Sequence, residues 1–240
     1  MPDFSCRSVE EEMMDDFSLG SEVIHPIMDE LEVVNKLLGG YQVFFNAFHR
    51  MGIKDGVVIS DWGCGGGDSL RIIAKWARKK NIKLQLIGVD ATASAIQYAR
   101  DKSRDFPEIS FILADVMSDE LISNQFNIVI SSLFTHHFSD KNWIRLIQKM
   151  SDCAADYVVI NDLHRHWFAY HSIGVLTSVF SKSKMVKNDS KLSVLRSFKR
   201  TELEKLLKQG GYNNFSIKWM WAFRWQIVIP TKEEKNLIKN

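Results

Sequence analysis

Runs of consecutive apolar residues alternate with segments of helical periodicity over most of the chain. Five such runs predict strands at 57–62, 83–90, 109–115, 126–134 and 156–162, and helical segments separate most of them. Strands that are apolar on both faces must be covered on both faces, so the pattern predicts a parallel sheet between layers of helices. The pattern ends with a predicted helix at 201–211 and two further strands, roughly 215–220 and 221–229.

Residues 20–50 predict two helices ahead of the first strand. Apolar residues recur at helical spacing before the stop at Gly39–Gly40, namely Ile24, Ile27, Leu31, Val34 and Leu38. We therefore divide the chain into an N-terminal helical cap at 1–52, an α/β domain at 53–230 and a C-terminal tail at 231–240. The segment at about 164–198, which follows the fifth strand, is interpreted as a lid insertion in that domain.

Composition and charge narrow the class of protein. The 240 residues are 45% apolar, enough to build the core of one α/β domain with an elaboration. Lys and Arg number 31 against 29 Asp and Glu, so no basic excess indicates a nucleic-acid partner. Cys6, Cys64 and Cys153 lack the spacing of metal ligands and are interpreted as free thiols.

No segment has the pattern of an export signal or a membrane span. The first residues are acidic and lack the basic-then-apolar order of a signal peptide. The longest apolar stretch, near 167–180, is interrupted by His171 and is too short to cross a bilayer. We therefore expect a cytoplasmic protein.

The stretch VVISDWGCGGGDSL, residues 57–70, is a strand followed by a glycine-rich turn. Turns of this kind often hold a phosphate, but the known phosphate patterns fail here. A dinucleotide fingerprint needs glycine at position 68, which is Asp, and a P-loop needs a lysine that the turn lacks. The pattern that fits is an acid followed by alternating glycines: Asp61, Gly63, Gly65 and Gly67.

An acid before the turn favours a ligand that carries a positive charge. The glycines let the backbone approach the ligand, and the carboxylate attracts an ammonium group but opposes a pyrophosphate. S-adenosylmethionine (SAM) has an ammonium group and a sulfonium and no phosphate. Asp90 ends the second strand, where it can accept hydrogen bonds from ribose hydroxyls, and Asp115 ends the third, within reach of an adenine edge. NAD would also use an acid at position 90, so Asp90 alone does not discriminate.

The motifs DWGCGGG, GVDAT, ILADVM and FNIVISSLFTHHF together resemble the class I SAM-dependent methyltransferases over about residues 55–165. The resemblance implies a Rossmann-like sheet of seven strands whose last strand is antiparallel, and SAM as cofactor with S-adenosylhomocysteine as product. Trp62 departs from the family pattern, in which a small aliphatic residue is common. The adenosine-site residues carry over to Asp61, Gly63, Gly65, Asp90, Ala91, Asp115 and Val116, with Ser131 near the methionine end.

The segment SLFTHHF resembles the subgroup that includes quinone-biosynthesis methyltransferases. The stretches EEMMDDFSLG…LEVVNKLLGG and NDLHRHWFAYHSIGVLTSVF…LSVLRSFKRTELEKLL extend the resemblance over nearly the whole chain, to bacterial methyltransferases found beside polyketide or aromatic-lipid biosynthesis enzymes. This resemblance implies a small acceptor that is aromatic or bears an acyl chain. We expect O-methylation of a hydroxyl on such an acceptor; C-methylation of a quinone precursor is the alternative. A SAM-binding partner of biosynthetic enzymes that has no catalytic activity is a third interpretation, and a homodimer is possible.

Histidines cluster after the fourth and fifth strands, at the edge of the sheet where an acceptor would bind. A histidine suits the deprotonation of a phenol or a carbon acid. We expect His164 or His166 to be the base, with His137 either a further candidate or packed under the cofactor. Asp162 could orient the base, and residues of the segment that follows are candidate substrate contacts: Arg165, Trp167 and Tyr170.

Two further expectations concern the surroundings of this site. No carboxylate follows the fourth strand, so we expect no metal dependence of the catechol-methyltransferase type. The basic stretch at 181–200 is interpreted either as a solvated loop or as a cover over the substrate.

Overall fold

A mixed sheet of seven strands forms the centre of the computed structural model, which describes residues 2–16, 18–118 and 125–231. In spatial order the strands are β3-β2-β1-β4-β5-β7-β6. β1 to β5 are parallel, and β7 is antiparallel to both of its neighbours. The predicted sheet with an antiparallel last strand is confirmed. Its strands are β1 (Val57–Trp62), β2 (Leu84–Asp90), β3 (Ile109–Leu113), β4 (Phe126–Ser132), β5 (Ala154–Leu163), β6 (Ser216–Met220) and β7 (Arg224–Pro230).

Helices cover both faces of the sheet and its carboxyl-end edge. On one face α2 and α3 pack through a core that includes Phe44, Phe48 and Ile73, and on the other α5 and α8 pack around Trp143 and Leu203. The helices are α1 (Ser21–Leu37), α2 (Gln42–Met51), α3 (Asp68–Lys79), α4 (Ala93–Lys102), α5 (Asp140–Cys153), α6 (Trp167–Phe180), α7 (Lys184–Arg196) and α8 (Arg200–Gln209). None of the helices described here has the length and apolar character needed to cross a membrane.

The basic stretch at 181–200 contains a helix, so its interpretation as a loop was wrong. Ser183 caps α7 by accepting a hydrogen bond from the backbone N–H of Val186 at 3.3 Å. Val186, Leu192 and Val194 are buried, and the lysines between them obscured this apolar pattern in the sequence. α7 packs against α6, so the two helices form one unit after β5.

The N-terminal segment before α1 lies against the loop that follows β4. Arg7 donates hydrogen bonds to the carbonyls of His136 and Phe138, both at 2.9 Å, and to the carbonyl of Arg196 at 2.7 Å. Its guanidinium also stacks over the ring of Phe198, 4.0 Å from the ring centroid. The division into cap, domain and lid stays a prediction, and residues 232–240 of the expected tail lie outside the described residues.

Candidate functional site

A cavity of about 990 Å³ opens at the carboxyl ends of β1, β2 and β4, between the sheet and helices α1, α6 and α7. β1 lies between β2 and β4, so the strand order reverses at this point. Ligands of parallel α/β sheets bind in such a crevice, because the loops on its two sides diverge and leave space. The loops after β1, β2, β3 and β4 all contribute to the lining.

The glycine turn after β1 is held against the end of β2. The backbone N–H groups of Gly63 and Cys64 both donate to the carbonyl of Val89, at 2.8 and 3.1 Å. Gly63 has a φ of +69°, and a Cβ on it would lie 2.2 Å from the ring of Phe134. Only glycine combines this left-handed conformation with so close an approach.

Asp61, the acid before the turn, is buried, and its Oδ1 has no hydrogen-bond partner among the described residues. Burial raises the pKa of its carboxyl well above the usual range, and the nearby carboxylates of Asp68 and Asp90 raise it further. Asp68 itself accepts hydrogen bonds from the hydroxyl of Tyr41 at 2.7 Å and the amide of Asn35 at 3.1 Å. Asp61 is therefore placed to gain from a ligand cation.

Asp90 ties the end of β2 to the turn after β1. Its Oδ2 accepts from the backbone N–H of Gly65 at 2.8 Å, and its Oδ1 accepts from that of Thr92 at 2.9 Å. These two bonds orient the carboxylate, and each oxygen keeps a further lone pair for a ligand hydroxyl. Asp115 is oriented in a similar way, by the backbone N–H of Met117 at 2.8 Å.

The cavity lining contains most of the residues that the sequence assigned to the cofactor: Asp61, Gly63, Gly65, Asp90, Ala91, Asp115 and Val116. Gly67 and Ser131 are not among the described residues that line it. Gly67 instead packs against β3, where a Cβ would lie 2.9 Å from Phe111. The hydroxyl of Ser131 donates to the carbonyl of Trp62 at 2.8 Å, while its neighbour Ser132 lines the cavity, because successive strand residues face opposite ways.

A second polar cluster lies in the same cavity, in the short 3-10 turn Thr135–His137 after β4. His136 is buried, with its Nδ1 2.6 Å from Oδ1 of Asp162, at the end of β5. The other Asp162 oxygen accepts from the hydroxyl of Thr135 at 2.6 Å and from the backbone N–H of His136 at 3.0 Å. Burial opposes a charge on His136, but the carboxylates of Asp162 and Glu12 outweigh it and raise the pKa to about 9.

His137 is held by two acids from the N-terminal segment. Its Nδ1 lies 2.6 Å from Oδ1 of Asp15, and its Nε2 lies 4.0 Å from the buried carboxylate of Glu12. Arg196 of α7 donates to the other Asp15 oxygen at 2.6 Å. Burial works against the charge on Asp15, but His137 and Arg196 together hold its pKa well below the usual range.

The sequence pattern did not identify Glu12 and Asp15 as residues of the site. They belong to the acidic stretch EEEMMDD, where nothing in the spacing distinguishes a solvated acid from one that reaches the far side of a cavity. Side-chain atoms of Glu12, His136 and His137 lie within 4.8 Å of one another, a spacing that also suits a metal ion. Arg196 lies 4.0 Å from Glu12 and already supplies positive charge there, so we interpret the cluster as an acid–base group.

The residues that the sequence favoured for catalysis after β5 are placed elsewhere. Neither His164 nor His166 is among the described residues that line the cavity. His164 packs against Trp225, and burial together with the charges of His166 and Arg165 lowers its pKa to about 4. His166 caps α6, with its Nδ1 accepting from the backbone N–H of Phe168 at 3.2 Å. These two histidines were chosen because they follow β5 at the expected acceptor site, and their positions in the structure do not support that choice.

Three predicted substrate contacts also lie outside the lining of described residues. Arg165 is buried in an ion pair with Glu202 at 2.5 Å and donates to the carbonyl of Ser197. Trp167 is exposed, and Tyr170 packs edge-on against Phe4. α6 does face the cavity, but through the opposite side of the helix: Phe168, Ala169, Ser172, Ile173 and Leu176. Predicting that α6 lies beside the site did not determine which of its faces points inward.

Comparison with known proteins agrees with this geometry. Residues 59–157 match the family model described as "Methyltransferase domain". No curated protein sequence matches the chain.

Several solved structures share the fold. A SAM-dependent methyltransferase from Aquifex aeolicus is 14% identical with a TM-score of 0.57, over 78% of this chain and 88% of that one. Magnesium protoporphyrin IX methyltransferase from Synechocystis PCC 6803 with bound SAM is 12% identical with a TM-score of 0.53, over 81% and 79%. The CMeT domain of the citrinin polyketide synthase is 13% identical with a TM-score of 0.55, over 74% and 47%. At these identities the likeness shows the fold.

Proposed function

We propose that this protein, a SAM-dependent methyltransferase, transfers the methyl group of SAM to a hydroxyl of a small aromatic or polyketide-like acceptor. The observation that carries the proposal is the division of one cavity into two polar regions. Carboxylates at the ends of β1, β2 and β3 lie on one side, and two imidazole–carboxylate pairs lie on the other. The first region suits SAM, and the second suits the deprotonation of an acceptor.

The proposed SAM site uses one group for each part of the cofactor. Asp90 accepts hydrogen bonds from the ribose hydroxyls, Asp115 and Val116 contact the adenine, and Asp61 faces the ammonium group. A cation beside Asp61 would favour the ionised carboxylate that burial now opposes. The glycine turn allows the methionine portion to lie close to the backbone.

His137 is the proposed base. The carboxylate of Asp15 on Nδ1 fixes a proton on that nitrogen, which leaves the lone pair of Nε2 free to accept a proton from the acceptor. The acceptor oxygen then attacks the methyl carbon in line with the C–S bond. The electrons of that bond pass to sulfur, which gives S-adenosylhomocysteine, and the acceptor proton stays on His137.

His136 has a different proposed role. With a pKa of about 9 it is positively charged near neutral pH, so it is a poor proton acceptor. Its charge is matched by the carboxylates of Asp162 and Glu12, so we assign His136 to holding the turn that carries His137.

The apolar part of the lining supports an aromatic or acyl-bearing acceptor. It is built by Phe168 and Leu176 of α6 and by the residues around the β6–β7 turn, including Trp219, Trp221 and Phe223. An acceptor that lacks charge on most of its surface would replace water there, which favours both binding and the exclusion of water during transfer.

The test is a turnover assay with SAM and a panel of phenols and polyketide-like hydroxy compounds, followed by mass and NMR analysis of the product. His137→Gln should lower turnover by about 10²–10⁴-fold, the usual contribution of a general base, and leave the affinity for S-adenosylhomocysteine unchanged. His164→Gln, which changes a histidine outside the cavity lining, is the matched control and should retain turnover.

The product separates the alternatives. A methyl group on carbon would indicate the quinone-type reaction instead of O-methylation. Tight SAM binding with no product from any acceptor in the panel would favour a binding protein without catalysis. Full activity of His137→Gln would overturn the assignment of the base.

A further inference from the structure

Arg224, the first residue of β7, is buried and is one of the residues that line the cavity. Its Nη2 donates to the amide oxygen of Asn35 at 2.9 Å and its Nη1 donates to that of Asn161 at 3.4 Å. Its Nε has no hydrogen-bond partner among the described residues. Both partners are neutral amides, so the charge of this guanidinium has no direct counter-ion in the described part of the chain.

The other buried arginines differ in this respect. Arg71 pairs with Glu32 at 2.6 Å, Arg165 with Glu202 at 2.5 Å, and Arg196 with Asp15 at 2.6 Å. Arg224 is linked to the carboxylate of Asp68 through Asn35, whose amide group donates to Asp68 at 3.1 Å. Burial lowers the pKa of Arg224 to about 10, even though Asp162, Tyr41 and Asp68 act in the opposite direction.

A buried charge without a partner is costly, and it is retained where a ligand supplies the opposite charge. The surroundings hold the guanidinium in place for such a ligand. The amide group of Asn161 donates to the carbonyl of Gly40 at 3.2 Å and to Ser132 at 2.9 Å, which fixes its oxygen toward Arg224. Gly40 packs so closely that a Cβ on it would lie 3.0 Å from the guanidinium carbon.

We propose that Arg224 and Asn35 form a subsite for a carboxylate of a ligand bound in the cavity. The planar guanidinium matches a carboxylate in geometry as well as in charge. The inference rests on the proposed function, which supplies two sources of this group. One is the amino-acid end of SAM, and the other is an acidic substituent of the acceptor.

The first arm of the test compares two cofactor ligands by calorimetry. One is S-adenosylhomocysteine, and the other is its decarboxylated analogue, which keeps the amine but lacks the carboxylate. If SAM supplies the carboxylate, wild-type protein should bind S-adenosylhomocysteine about 10- to 100-fold more tightly than the analogue. Arg224→Gln should abolish that preference. Arg78→Gln is the control for the change in charge, since Arg78 lies in an exposed pair with Glu108.

The second arm uses protein saturated with S-adenosylhomocysteine and compares 4-hydroxybenzoate with 4-hydroxybenzyl alcohol. If the acceptor supplies the carboxylate, wild-type protein should prefer the benzoate, and Arg224→Gln should lose the preference while binding S-adenosylhomocysteine normally. Equal affinities within both pairs of ligands in wild-type protein would overturn the subsite without any variant.

One further variant and the separate turnover test of His137 keep the outcomes distinguishable. Arg224→Lys, which keeps the charge but not the fork, should show an intermediate preference and covers the case in which Arg224→Gln does not fold. Carboxylate preference does not depend on the base, so failure of the subsite would leave the turnover test of His137 intact. Loss of turnover in His137→Gln likewise would not affect either binding comparison.

Discussion

The carboxylate of Asp15 lies 2.6 Å from Nδ1 of His137, and so joins the N-terminal segment to the turn after β4 across 122 positions of sequence. The same carboxylate accepts a hydrogen bond from Arg196 of α7. Three separate parts of the chain therefore meet at the proposed base. Because Asp15 contacts the imidazole of His137 directly, we expect the orientation of His137 to depend on the position of the N-terminal segment.

Asp15→Asn tests this positioning role. An amide cannot stabilise the imidazolium that forms when the base takes up a proton, so turnover should fall by about 10²–10⁴-fold. Affinity for S-adenosylhomocysteine should stay the same, because Asp15 lies on the acceptor side of the cavity. Asp16→Asn is the control, since the side chain of Asp16 is exposed and, among the described residues, accepts its hydrogen bonds from Ser18. The pH–rate profile of Asp15→Asn should also shift, and an unchanged profile with full turnover would contradict the role.

The ion pair of His136 with Asp162 predicts a specific dependence of stability on pH. The pKa of His136 is raised on folding from 6.5 to about 9. Its stabilising contribution is therefore fully present below pH 6.5 and is lost as the pH rises through 9. We expect the melting temperature to fall by roughly 5–10 °C across that range because of this group.

Differential scanning calorimetry between pH 6 and pH 10 measures this fall. His136→Gln should start with a lower melting temperature and show a flatter alkaline slope. His49→Gln changes an exposed histidine of α2 and should keep the wild-type slope. If His136→Gln and wild-type protein have the same slope, His136 is not the titrating group.

Gly63→Ala tests the close approach of the glycine turn to Phe134. A left-handed φ costs a non-glycine residue about 1 kcal/mol, and the clash with the aromatic ring adds to that cost. Gly52→Ala is matched to it, with a φ of +64° and no atom within 4 Å of the added Cβ. Chemical denaturation should show a larger loss for Gly63→Ala, which should also lose cofactor affinity. Equal losses in the two variants would mean that the turn tolerates a side chain.

Metal removal should leave activity unchanged. Arg196 and the charged His136 already neutralise much of the acidic cluster around Glu12 and Asp15, so a cation is not needed there. The measurement is turnover before and after dialysis against excess chelator. Loss of activity that magnesium or zinc restores would show that Glu12, His136 and His137 hold a metal.

The cofactor side of the site could be predicted from the sequence because its residues are close to the elements that position them. Asp61, Gly63 and Asp90 are fixed by the ends of β1 and β2, and strand periodicity locates those ends. Ser131 was predicted near the methionine end, whereas its neighbour Ser132 lines the cavity: both serines end β4, and they face opposite ways. Gly67 belongs to the same pattern but packs against Phe111 of β3.

The acceptor side could not be predicted in the same way, because it is built by contacts between distant segments. Glu12 and Asp15 reach His136 and His137 only after the chain before α1 has folded back over the turn that follows β4. Arg165 was expected to bind substrate, but Glu202 of α8 pairs with it instead. The residues next to Arg165 in the sequence do not indicate that a residue of α8 pairs with it.

Calorimetric titration of S-adenosylhomocysteine into wild-type protein and Asp90→Ala tests whether the cavity binds this cofactor through Asp90. We expect binding to wild-type protein and a loss of about 1–3 kcal/mol in the variant, because the ribose hydroxyls lose their acceptor. Asp101→Ala, which removes an exposed carboxylate of α4, should bind like wild-type protein. Binding of NAD without binding of S-adenosylhomocysteine, or equal affinities of wild-type protein and Asp90→Ala, would contradict this expectation.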